Sequence, residues 1–133
     1  MVWAVLNEAQ NAALKEIVQY QSDRLAAILG AAMLDDSLCH ALEYRFRKSS
    51  MTSRIFEANM PLGNTNAKIQ LAYLLYMFEK PMLQAMEAIS DIRNMFAHDL
   101  SMSFDHPSIK MQRAFTKLNL HDGLLWFLAV WSG

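Results

Sequence analysis

One cysteine, three prolines and four glycines stand in a chain of 133 residues, and each scarcity closes off a class of protein. A lone Cys39 cannot form an internal disulfide; set in a helical pattern, it reads as a small core hydrophobe. With few glycines and prolines to break them, stretches rich in Ala, Leu and Met favour helix over sheet. Charged residues make up only 19% against 53% hydrophobic, the reverse of a disordered chain. Basic and acidic residues number 12 and 13, for a net charge of −1. That lacks the strong positive balance of a protein that lives on nucleic acid. No Gly-rich phosphate loop, no His-Glu-x-x-His and no Ser/His/Asp arrangement can be found. The start, Met1 to Leu6, has no basic n-region, and the apolar run Leu124 to Trp131 is too short to span a bilayer. A cytoplasmic protein with no membrane, metal or cofactor requirement is expected.

What is present is helical periodicity. The spacing predicts an all-α, single-domain bundle of about five to seven helices over residues 1–133. A first amphipathic helix covers 2–20, with Val2, Leu6, Ala9, Ala13, Ile17 and Tyr20 on one stripe. Ser22 suits an N-cap, and the longest helix follows from Asp23 to about Lys48. Its seam reads Leu25, Ile28, Ala32, Asp35, Cys39, Leu42, Phe46. Residues 49–66 form a connector with a short turn of helix around Arg54 to Glu57. Asn64 or Thr65 then caps a third helix running to about Glu79, with Ile69, Tyr73, Leu74 and Met77 inward. Lys80-Pro81 opens a fourth, with proline in the first turn. Asp105-His106-Pro107 opens a fifth to about Leu118, and the apolar run 124–131 closes the chain.

The fourth helix carries the chemistry. Met82, Met86, Ile89, Ile92 and Phe96 recur at three- and four-residue steps, and Arg93, Asn94 and His98 are set into that pattern. Polar groups beside an apolar seam need hydrogen-bond partners or a cleft. Asp35, a carboxylate on the seam of the long helix, is expected either to lie solvated at the seam's margin or to have a cationic partner inside the bundle, and Arg93 is the partner expected in that case. The candidate cluster is therefore Asp35, Arg93, Asn94, His98 and Asp105, read chiefly as structural or partner-binding. His98-Asp99 and Asp105-His106 bracket a loop that could be drawn as a metal site, but capping and turn roles explain both aspartates. Arg45, Arg47, Lys48 and Arg54 form the one basic cluster, read as a solvated helix end. The five-residue offset places Arg93 and His98 roughly 140° apart on an ideal helix, so they converge only at a frayed end.

An ordered set of motifs runs through residues 22–118. It comprises Asp23-Arg24-Leu25-Ala26-Ala27-Ile28-Leu29-Gly30 continuing to Leu38, then Met60-Pro61-Leu62-Gly63, then Ala67 to Tyr73. Arg93-Asn94-Met95-Phe96-Ala97-His98 and Ser103-Phe104-Asp105-His106-Pro107 complete it. In these the chain resembles the mannitol operon repressor (MltR-like) family. The resemblance implies a cytoplasmic transcriptional regulator built as a helical bundle. With no basic recognition helix to be read, direct DNA binding is not expected, and action through a protein partner or homo-oligomer is. Arg93-x-x-x-x-His98 is also similar to the mark of the HEPN superfamily. That second resemblance implies an alternative, a metal-independent endoribonuclease that cleaves RNA at a dimer interface. There His98 would move a proton at the 2′-hydroxyl or leaving oxygen, Arg93 would stabilise phosphate charge, and Asn94 would orient either. The first reading makes the protein a non-enzyme; the second makes RNA its substrate.

Overall fold

Ser22 caps the first of the described long helices by accepting the Leu25 N–H at 3.2 Å, which satisfies one of the orphan donors of a helix start. The computed structural model describes residues 22–118, with Glu8, Ala9 and Ala12 ahead of them. Apart from those three residues the expected helix 2–20 lies outside the described residues, and so does the expected helix 124–131. Over residues 22–118 five helices follow in order: α1 (Asp23–Arg45), α2 (Ser50–Arg54), α3 (Thr65–Leu74), α4 (Lys80–His98) and α5 (Ile109–Leu118). No strand occurs among the described residues, and the architecture is an all-α bundle. Among the described helices, α1 alone is long and apolar enough to cross a membrane, by length and composition only.

The central element is α4, which packs on α1, α3 and α5. One core lies between α1, α3 and α4 and includes Leu34, Leu38, Leu42, Ile69 and Met86. A second joins Ala27 of α1 to Ile92, Met95 and Phe96 of α4 and Met111 and Ala114 of α5. Phe96, Phe104 and Phe115 continue it as two edge-to-face ring pairs, with centroids 5.5 and 5.2 Å apart. Such pairs add about 0.5–1.5 kcal/mol each beyond the area they bury.

The buried face of α4 follows the expected period, with Met82, Met86, Ile92 and Phe96 in the core and Ile89 packed against it. That of α1 does not. Its core residues are Ala27, Leu34, Leu38, Ala41 and Leu42, whereas Ile28 is 45% exposed and Ala32 is exposed. This helix is apolar nearly all round, so several stripes satisfy the helical period and tertiary packing chooses among them.

The ends differ too. The capping box of Ser49 and Thr52 starts α2 ahead of the expected turn at Arg54. Ser108, accepting from Met111 N–H at 3.1 Å, starts α5 just after Pro107. And α3 stops at Leu74 instead of near Glu79. Tyr76 takes the left-handed conformation at φ 61°. Its N–H donates to Tyr73 O at 3.0 Å, and Met77 N–H donates to Ala72 O at 3.1 Å. That pair of bonds is a Schellman termination, normally built on glycine. Leu74, expected inward, is thereby left exposed.

The start of α3 depends on Gly63. A Cβ there would lie 2.6 Å from Ala58 O and closer still to Glu57 O, so only glycine lets the two backbones approach.

Urea unfolding should separate these two positions. Gly63→Ala is expected to cost about 1–3 kcal/mol, the scale of forced overpacking. Tyr76→Gly should gain about 0.5–1 kcal/mol by removing left-handed strain at an exposed site.

Candidate functional site

A buried ammonium decides the arrangement of the polar residues. Lys68, one turn into α3, is 2% exposed, and its Nζ donates to Asp35 Oδ1 at 2.7 Å. Thr65 Oγ1 donates to the same oxygen at 2.7 Å. The carboxylate of α1 thus meets the first turn of α3, where the helix dipole also favours negative charge. Here the expected Asp35–Arg93 pair is corrected: Asp35 is taken by Lys68 and Thr65. The physical reason is need. An ammonium enclosed by apolar side chains requires a counter-charge, whereas a guanidinium at the surface is served by water.

Arg93 is exposed, and its Nη1 donates to Asn94 Oδ1 at 3.2 Å. Both residues line an open groove of about 490 Å³ between α1, α3 and α4. Asp35 stands on the opposite wall, with Asn64, Thr65 and Asn66 at one end. Ser90 also lines the groove; it is only 7% exposed, and its hydroxyl has no hydrogen-bond partner among the described residues. His98 is exposed and does not line the groove. Asp105 is likewise exposed in the α4–α5 loop. The structure therefore brings together Asp35, Arg93 and Asn94 and leaves His98 and Asp105 outside.

Within one copy of the chain, then, the guanidinium and imidazole do not share a site, as the five-residue offset implies. Among the described residues, no three His, Cys, Asp or Glu side chains gather closely enough to hold a metal ion. Asp99 instead accepts from the Ser101 N–H at 2.9 Å and the Ser101 hydroxyl at 2.7 Å. Those two bonds hold its carboxyl below the usual carboxylate range. His106 Nδ1 accepts from Ser108 N–H at 3.3 Å.

Elsewhere, Arg45, Arg47, Lys48 and Arg54 are all exposed. Cys39 is half-buried, and burial pushes its thiol above the ordinary range while the nearby Lys68 partly opposes the rise. A raised thiol is a poor nucleophile at neutral pH.

The fastener that sequence reasoning missed is Arg24. Its guanidinium donates to Phe96 O, to Asp99 O at 3.0 Å and to Leu100 O at 3.1 Å. Its carbon lies 5.3 Å from the centroid of the Phe96 ring. These acceptors lie in and just after the last turn of α4, where carbonyls have lost their helical donors. Beside it, Asp23 Oδ2 accepts Phe104 N–H at 2.9 Å. The signal was legible: a cation in the first turn of a helix opposes that helix's own dipole, so it calls for a tertiary partner.

Comparison with family models, curated proteins and solved structures gives no match for this chain.

The two arginines should therefore behave oppositely in thermal and urea unfolding. Arg24→Ala is expected to cost about 2–3 kcal/mol, through the lost carbonyl bonds and ring contact. Arg93→Ala should stay within about 0.5 kcal/mol of the parent, as an exposed substitution does.

Proposed function

We propose that the protein is a cytoplasmic regulator of the mannitol operon repressor type, acting through contacts with a protein partner or a second copy of itself. The observation that carries this reading is the freedom of Arg93 and Asn94. They face an open groove and, among the described residues, their side chains bond only to each other, so this part of the fold does not consume them. Polar side chains beside a cleft without a structural duty are candidates for recognition.

Catalysis by the alternative ribonuclease route asks more of the same residues. It needs an imidazole and a guanidinium at one phosphate, and within one copy His98 lies off the groove that Arg93 lines, so a second copy would have to bring them together. Direct operator binding has one short basic helix face to draw on: Lys110, Arg113 and Lys117 are exposed on α5 at i, i+3 and i+7, while Arg45, Arg47, Lys48 and Arg54 are set around the end of α1 and the short α2. A net charge of −1 over the whole chain favours a protein partner over DNA.

Affinity capture from a bacterial extract with tagged protein tests the reading. A reproducible partner, or self-association, that weakens at least tenfold with Arg93→Ala or Asn94→Ala is expected. Incubation with single-stranded RNA in EDTA should leave the RNA intact. Cleavage that disappears in His98→Ala would replace the regulator with the nuclease.

A further inference from the structure

We propose that the groove between α1, α3 and α4 is a carboxylate-binding site, in which Arg93, the first turn of α3 and the Ser90 hydroxyl hold the anion. It names the chemistry that the contact-based reading asks of a partner, and rests on that reading only for the source of the carboxylate.

Three kinds of donor converge there. Ser90, Arg93 and Asn94 stand at i, i+3 and i+4 on α4, so they share one face. The buried Ser90 hydroxyl is otherwise unpartnered among the described residues, a condition that native structures rarely leave without an explanation. At the α3 terminus, Asn64 Oδ1 accepts from Ala67 N–H at 2.9 Å, and Asn64 O accepts from Lys68 N–H at 3.3 Å. The N–H groups of Thr65 and Asn66 come earlier in the turn and have no acceptor within the helix.

Charge selects a monoanion. Asp35 lines the groove, but Lys68 stands 2.7 Å from it, so Arg93 supplies the one uncompensated charge. A dianion such as phosphate would press a second negative charge towards Asp35. A carboxylate carries one charge, and its planar pair of oxygens matches the guanidinium fork. The wall built from Ile28, Ala31 and Ala32 gives the carbon stem an apolar surface.

An NMR titration of the full chain with uniform ¹⁵N labelling tests this. The probes are sodium acetate, N-acetylglutamate and a short peptide with one internal glutamate, against sodium chloride at matched ionic strength and inorganic phosphate. Saturable shifts at the Thr65, Asn66 and Ser90 amides are expected with the carboxylates. Arg93→Ala should weaken them at least tenfold, Ser90→Ala about three- to tenfold, and His98→Ala should leave them unchanged. Tighter binding of the peptide than of N-acetylglutamate supports the site and places the carboxylate on a partner chain; the reverse order supports it with a free small acid. Shifts that track ionic strength alone, phosphate binding tighter than carboxylate, or full affinity in Arg93→Ala overturns the proposal. Carboxylate binding without a captured partner removes the contact-based reading alone, and a captured partner with an unresponsive groove removes the site alone.

Discussion

An ammonium inside a helical core has to meet a carboxylate, and Lys68 meets Asp35. The requirement fixes how α3 sits on α1, because Thr65 and Lys68 reach the same oxygen from successive turns. It also places two residues that line the groove, Asp35 and Thr65, and it withdraws Asp35 from competition for Arg93. Pairs of this kind add little net stability compared with apolar residues of equal size, since desolvation consumes much of the attraction. Their effect is on placement. Here the pair holds the first turn of α3 beside the Arg93 face of α4, which is what gives that face anything to work with.

A second polar device works at the other end of α1. Arg24 satisfies carbonyls at the end of α4, and Asp23 holds the loop that follows by the Phe104 N–H. The edge-to-face rings from Phe96 to Phe115 carry that attachment into α5. The two arginines thus differ in what the fold asks of them. Arg24 is spent on structure and Arg93 is left available, although Arg93 sits in the more conspicuous sequence motif.

How far the sequence could be read depended on how one-sided each element is. In α4, a buried stripe faces a polar one, and its core residues Met82, Met86, Ile92 and Phe96 are readable from spacing. In α1, Ile28 and Ala32 are as apolar as Ala27 and Leu34, so periodicity alone could not say which pair is inside. Asp35 was recognisable as a carboxylate in need of a cation. Choosing between Arg93 and Lys68 required knowing which is buried, and burial is a tertiary fact. Tyr76 conceals a helix end because its left-handed backbone is one that composition assigns to glycine. Of the residues that the sequence motifs singled out, Asp35, Gly63 and Arg93 line one groove, and His98 and Asp105 lie outside it.

The most direct test of this arrangement is a pair of double-mutant cycles in urea unfolding, one between Asp35→Ala and Lys68→Met and one between Asp35→Ala and Arg93→Ala. Asp35 keeps 36% of its side-chain surface, so its coupling to Lys68 should be about 2–3 kcal/mol, at the lower edge of values for buried pairs. Its coupling to Arg93 should lie within about 0.5 kcal/mol of zero. A larger coupling of Asp35 to Arg93 than to Lys68 would contradict the account.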